Sequence, residues 1–223
     1  MRGEACSACA RLAAYRAENC VRHPHYHNAP VPAFGPGQAR LLIVGLAPGL
    51  HGANRTGRPF TGDHAGRLLY TTLHAHGFAN RPESLAADDD LRLIDCRITN
   101  AVRCVPPANR PLPVEVRTCN AHLARELAQQ PTHGVILALG AIAHAAVLRA
   151  LGASPARHPF VHGARHGLPD GRLLFDSYHC SRYNTQTGRL TPAMFDAVFA
   201  EIRRHLEGRD ARGHHPARRP AQP

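Results

Sequence analysis

The stretch Ala39-Arg-Leu-Leu-Ile-Val-Gly45 runs without a break into Leu46-Ala-Pro-Gly-Leu-His-Gly-Ala-Asn-Arg-Thr-Gly-Arg-Pro-Phe-Thr-Gly-Asp63. Its apolar first part, closed by a glycine, reads as a buried strand. The glycines and two prolines that follow let the backbone approach a flat ligand closely, while Arg55 and Arg58 offer planar donors to phosphate. Phe60 is the one aromatic of this loop and Asp63 its one acid. The loop has the composition of a pocket wall. Asp63 is also well placed to cap a helix over 64–76, where Leu68, Leu69, Thr72 and Leu73 recur at helical spacing.

Outward from this unit the punctuation is regular. The patterns predict helices over 10–19, 114–129 and 141–151, strands over 91–102, 134–139 and 172–177, and a last helix opened by Thr191-Pro192 and ending near Leu206. Strand and helix alternate, which implies a three-layer α/β/α fold around a mainly parallel, four-stranded sheet. The 223 residues suffice for one sizeable core. One domain is expected over 1–206, with 207–223, rich in Arg, Pro and Gly, as a basic disordered tail. In open sheets of this kind ligands bind beyond the carboxyl ends of the strands, here in the loops after Gly45, Thr99 and Ser177.

Composition narrows the partners. The net charge is +11 with histidine neutral, which favours a polyanion, and nucleic acid is the leading candidate. All 27 basic residues counted as Lys or Arg are arginine, so no lysine amine exists to form a Schiff base with a sugar. A biased source genome explains the arginine excess equally well. The Gly-rich loop lacks the Gly-Lys-Ser/Thr ending of a phosphate-binding loop and the Gly-x-Gly-x-x-Gly of a dinucleotide site, which argues against a nucleotide triphosphatase. No stretch approaches the roughly 18 apolar residues of a membrane span, and the N-terminus has no signal-peptide core. The expected location is the cytoplasm, associated with the nucleoid through DNA binding.

Seven cysteines, in a chain read as intracellular, point to metal rather than to a disulfide framework. Cys6-Ser-Ala-Cys9 is a CxxC pair, and fourteen residues separate Cys104 from Cys119. Four thiolates from two such pairs suit tetrahedral zinc or a [4Fe-4S] cluster, and spacing alone does not choose. The plainer reading makes Cys104 and Cys119 small buried hydrophobes. Cys96 reads as core; Cys20 and Cys180 have no assignment.

Three stretches, in this order, resemble the motifs of type 5 uracil-DNA glycosylases. These are Gly45-Leu-Ala-Pro-Gly49 with the sequence on to Asp63, Thr99-Asn-Ala-Val-Arg-Cys-Val-Pro-Pro107, and His179-Cys-Ser-Arg-Tyr-Asn184-Thr-Gln-Thr-Gly-Arg-Leu-Thr191. The cysteine pattern resembles the [4Fe-4S] ligand set of the type 4 and type 5 enzymes, which favours iron-sulfur over zinc. The resemblance covers about residues 6–206. It implies a monofunctional hydrolase that flips a uracil out of DNA and excises it in base excision repair, with hypoxanthine and modified bases as further substrates.

The same resemblance assigns roles residue by residue. Phe60 stacks on the extruded base beside Gly45, Leu46 and Ala47. His179 donates to the base oxygen and stabilises the departing anion. Leu46 stands where many relatives carry Asp, Glu or Asn, and an apolar side chain cannot orient water. The water-positioning role therefore falls to Asp63, for which helix capping alone is the plain alternative. Asn100 contacts the base edge or the water, with Asn109 as a second candidate. His51, Arg55 and Arg58 approach phosphates, and Ser181, Arg182, Asn184 and Arg189 belong to a flexible loop that enters the DNA. A monomer is expected. The contrasting expectation is a non-catalytic iron-sulfur protein that grips lesions without hydrolysing them, and a zinc-bearing RNA-binding protein is a third.

Overall fold

The computed structural model describes residues 6–213. Its strands are β1 (Leu41–Gly45), β2 (Cys96–Asn100), β3 (Val135–Leu139), β4 (Arg165–Gly167) and β5 (Leu173–Ser177). Its helices are α1 (Ala10–Arg22), α2 (Ala53–Thr56), α3 (His64–Ala75), α4 (Pro113–Gln129), α5 (Ala141–Ala150), α6 (Arg182–Gln186) and α7 (Pro192–Gly213). The sheet order is β2-β1-β3-β5-β4. The first four of these strands pair in parallel, and β4 runs antiparallel along β5.

Alternation along the strands sorts the core into two layers. Leu41 and Ile43 of β1 and Leu137 of β3 pack against Leu69 and Leu73 of α3 and Phe195, Phe199 and Ile202 of α7. Leu42, Val44, Ile136 and Ala138 face the other way, against Leu123 and Leu127 of α4 and Val147 of α5. Both faces of the central strands are therefore buried, which is why β1 and β3 read as unbroken apolar runs. A third, smaller group of Leu12, Val102, Cys104 and Cys119 lies where α1 meets the start of α4.

Three expectations are corrected. The sheet has five strands, because β4 is a three-residue edge strand, Arg-His-Gly, largely exposed and without apolar alternation to announce it. The second strand is confined to Cys96–Asn100; Asp95 before it has φ +51 and its carboxylate accepts from the backbone N–H of Arg40 at 2.8 Å, so the run from 91 begins as a turn. The last helix starts as expected, with Met194 N donating to Thr191 Oγ1 at 3.2 Å, but continues past Leu206 to Gly213. Only 214–223 of the expected tail remain, and they lie outside the described residues.

Candidate active site

Parallel pairing aligns the carboxyl ends of four strands at one edge of the sheet, with Gly45 opposite Asn100 and Leu139 opposite Ser177. The pairing extends one step beyond the strands, since Ala101 N donates to Gly45 O at 2.9 Å and Val102 N to Leu46 O at 3.0 Å. Gly45 is required by packing. A Cβ there would lie 2.4 Å from Asn100 Oδ1 and 2.7 Å from Phe60 Cζ, so ring and amide close directly over bare backbone.

The loop after β1 is a folded wall. Asn54 N donates to Gly49 O at 3.0 Å to start α2, which ends at Gly57 with φ +79, and the buried Asn54 side chain donates to Asn28 Oδ1 at 2.9 Å. Phe60 follows with φ +55, a conformation that strains a bulky residue by about 1–3 kcal/mol. Tertiary contacts hold it there: Tyr70 Oη donates to the neighbouring Pro59 carbonyl at 2.7 Å, and a Cβ on Gly66 would sit 1.8 Å from Phe60 O. The Phe60 ring lies 5.9 Å from that of His179, inclined by 28°.

Asp63 does two things at once. Its Oδ1 accepts from Gly66 N at 2.8 Å and caps α3, as the sequence suggested. Its Oδ2 lies on the side of Gly49 and Gly52, and Gly52 has no room for a Cβ, which would stand 2.7 Å from that oxygen. Burial pushes the carboxyl above its ordinary range, against the pull of the Gly66 and Ala65 amides and of His64. Burial acts oppositely on His179, lowering its pKa to about 4, so its imidazole is neutral at physiological pH. The Asn184 amide donates to the His179 carbonyl at 2.8 Å and holds the turn that carries it.

A cavity of about 420 Å³ opens between these elements, within the range of small-ligand sites, with Leu46, Phe60, Asp63, Asn100 and His179 in its wall. Asn100 is buried inside beside Gly45, whereas Asn109, exposed and at φ +56, stands at the mouth. A second, open groove of about 1000 Å³ continues past Asp63 and carries His51, Arg55, Arg67 and Arg182. Arg67 escaped the sequence reading although it sits one turn into α3 from Asp63, on the exposed side; the 64–76 periodicity held that information.

One expected DNA contact is corrected. Arg58 is buried at 6% exposure: its guanidinium binds Asp89, Ser84 and the Ala87 carbonyl and lies 4.5 Å over Phe34, which turns it inward, away from any phosphate. Asn184 and Ser181 are half-buried, Asn184 donating to His179 O and Ser181 capping α6. Within 181–189 the residues Arg182–Gln186 form α6, where Ser181 and Thr185 supply hydrogen bonds that a loop would leave to water. Arg182 and Arg189 do remain exposed, Arg189 stacked 4.6 Å over Tyr178.

The four expected thiols gather beside this edge, Cys104 within electrostatic reach of Cys6 and Cys9, and Cys119 of Cys104 and Cys9. Arg11 grips Glu115 through Nε at 2.8 Å and Nη2 at 2.7 Å, and Glu115 also accepts from Leu112 N, so α1 is tied to the head of α4. Arg16 is buried without a carboxylate partner among the described residues; its Nη1 points at Cys104 Sγ at 2.8 Å and its Nη2 donates to Cys6 O at 2.6 Å. A single zinc with bonds near 2.3 Å would hold four sulfurs about 3.8 Å apart. Among the described residues the group whose ligand atoms fall within 4.8 Å of one another is His144, His166 and Asp176, not the cysteines.

An α/β sheet with a cavity at its carboxyl edge, built from a Gly-rich loop, an Asn-bearing strand end and a His-bearing strand end, has its site where open sheets of this class bind their ligands. The sequence profile of the Uracil DNA glycosylase superfamily matches residues 32–203, and the chain belongs to that superfamily. It is 51% identical over 205 residues to the Type-5 uracil-DNA glycosylase of Thermus thermophilus, covering 90% of this chain and 93% of that one. The proteins of the same name from Mycobacterium bovis and Pyrobaculum aerophilum are 45% and 42% identical, over 89% and 83% of this chain and 77% and 82% of theirs. No helix among the described residues is long and apolar enough to cross a membrane.

Proposed function

We propose that this protein is a monofunctional uracil-DNA glycosylase of base excision repair. The observation that carries the reading is the convergence on one cavity of a flat ring, a carboxylate, an amide and a neutral imidazole from three separate stretches of sequence. In this reading a flipped uracil stacks on Phe60 and meets Asn100 at its polar edge. Asp63 aligns a water toward the anomeric carbon and faces the sugar as it becomes oxocarbenium-like. The water oxygen bonds to that carbon as the bond to the base nitrogen breaks, the water proton passes to Asp63, and the electron pair leaves with the base. His179 donates a hydrogen bond to the base oxygen on which that negative charge collects, and because it is neutral it does so without giving up its proton.

Absence of lysine supports hydrolysis without a Schiff base and therefore without strand cleavage. Leu46, an apolar wall where a carboxylate would select one base edge, supports acceptance of hypoxanthine and modified uracils. Release of free base from duplexes carrying uracil, hypoxanthine or a thymine mismatch tests both levels. Tight binding of uracil-containing duplex with no release over hours would replace the enzyme by a lesion-binding protein.

We infer that Cys6, Cys9, Cys104 and Cys119 hold a [4Fe-4S] cluster with a structural role, anchoring α1 and the 104–119 segment beside the DNA-facing edge. The four thiols gather around the buried Arg16 cation, which has no carboxylate partner among the described residues and suits an anionic core. Such a cluster supplies cross-linking of the two segments, and no group in the cavity calls for electron transfer. Iron and sulfide analysis with the visible spectrum decides the matter: a colourless, zinc-containing protein rejects it.

A further inference from the structure

Beneath the strand end that carries His179 lies a second polar cluster that the reaction does not use. Asp176 of β5 is wholly buried, and two histidines converge on its carboxylate: His144 of α5 places Nδ1 2.7 Å from Oδ1, and His166 of β4 places Nε2 3.0 Å from Oδ2. The other nitrogen of His144, Nε2, faces the carbonyl of His158 at 2.8 Å. A carbonyl only accepts, so Nε2 carries a hydrogen. A neutral ring would then set the bare lone pair of Nδ1 against a carboxylate oxygen at 2.7 Å. A cation resolves that contact, as would a proton on Asp176 Oδ1, but the hydrogen bond that Oδ2 accepts from His166 favours the ionised carboxylate and with it the cation.

The separations identify which cation. A tetrahedral metal such as zinc, bonded at about 2.0–2.1 Å, would hold these atoms roughly 3.3 Å apart, wider than the 2.7 and 3.0 Å found, which are hydrogen-bond lengths. The cation is a proton. His166 needs none, since its neutral Nε2–H tautomer satisfies Oδ2. Among the described residues the groups facing His144 are Asp176 from β5, His166 from β4, the His158 carbonyl, and the edge of Phe160 at 5.7 Å between centroids, with the His158 ring packed on His166. No arginine appears among the partners of Asp176. Burial opposes a charge on His144, and the hydrogen bond and charge of Asp176, with the His158 carbonyl, overcome it.

We propose that His144 is a buried imidazolium which, with Asp176 and His166, acts as a positioning clamp for His179. The route is short. The Asp176 backbone exchanges hydrogen bonds with Gly163 N and Ala164 O, at 2.9 and 3.0 Å, fixing the segment before β4. In that segment His162 accepts from Tyr178 N at 3.1 Å and stacks on the Tyr178 ring at 4.9 Å. Tyr178 directly precedes His179. Loss of the His144 proton turns one attraction of the clamp into a repulsion, three residues from the group that stabilises the leaving base.

Long-range 15N NMR of the histidine rings in the intact protein, with His144→Gln to assign the signals, is the test. Two protonated nitrogens on His144 at neutral pH are expected; a neutral tautomer, or a bound metal found by elemental analysis, overturns the proposal without needing the variant to fold. The kinetic arm rests on the glycosylase reading. Single-turnover uracil release should fall as pH rises through the deprotonation of His144, whereas His144→Gln should start from a plateau lower by roughly tenfold or more, with KM little changed, and lack that limb. An unchanged plateau and limb in a folded variant would sink the positioning role even if the imidazolium is found. An inactive wild-type protein whose NMR signals are as expected would fault the glycosylase reading instead.

Discussion

The cavity and the open groove beside it share Asp63 and Arg182, yet they recognise in opposite ways. In the cavity burial changes the chemistry: it lifts the Asp63 carboxyl and holds His179 neutral. In the groove Arg55, Arg67 and His51 stay in water, where a charge acts over a Debye length and salt weakens it. On the proposed function, the first arrangement is the one that discriminates bases and makes bonds break. The second can only gather a polyanion. Arg58 shows that residue type alone does not assign a side chain to one or the other, for it belongs to the same motif as Arg55 and is locked inside by Asp89.

The difference can be broken from the cavity side first. Asp63→Ser keeps an α3 cap and removes the carboxylate, so single-turnover release of uracil should fall by about 10²–10⁴-fold while DNA affinity holds. The same variant should lose no stability at neutral pH, because burial disfavours the charged Asp63 and the replacement is uncharged; a marked drop in Tm would mean that the cap, not the water, is the reason for the acid. His179→Ala is expected to cost about 10²–10³ in the chemical step.

The pH profile sharpens the same contrast. Activity requires ionised Asp63, so the acid limb should lie above the ordinary range of an aspartate and vanish in Asp63→Ser. Stability should follow His179 in addition: an unfolded histidine takes its proton near pH 6.5 but the folded one near 4, so denaturation midpoints should drop as pH falls across that window. His179→Gln should flatten this dependence.

The groove gives the smaller effects. Neutralising Arg55, Arg67 or Arg182 singly with Gln should weaken DNA binding modestly and reduce the slope of log affinity against log salt by about 1 each. Arg58→Gln should instead leave the salt slope alone and destabilise the fold by about 3–5 kcal/mol, as expected when a buried ion pair loses one partner. A normal Tm with a reduced slope for Arg58→Gln would reverse its placement.

Much of this was legible before any coordinates. The apolar runs of β1 and β3, the Thr191-Pro192 start of α7 and the Asp63 cap are local signals, set by periodicity and by the hydrogen bonds a helix end needs. The motif glycines were legible as tight backbone, and the superfamily followed from the order of the motifs. Edge strand β4 was not, because three polar residues pair only when β5 offers its free side. Nor was the inward turn of Asn184, whose amide has the chemistry of a DNA contact until the His179 carbonyl claims it.

The sequence by itself determined the layered α/β class, the residues that meet at the sheet edge and the supply of four thiols, since these depend on spacing and side-chain chemistry along the chain. Tertiary structure decided which of those side chains lie in water. It put Arg58 against Asp89, left Arg67 facing the groove, trapped a proton between His144 and Asp176, and withdrew Asp63 and His179 from solvent. The physical reason is that desolvation belongs to a place in the folded molecule, where distant segments exclude water together, and no single segment carries it.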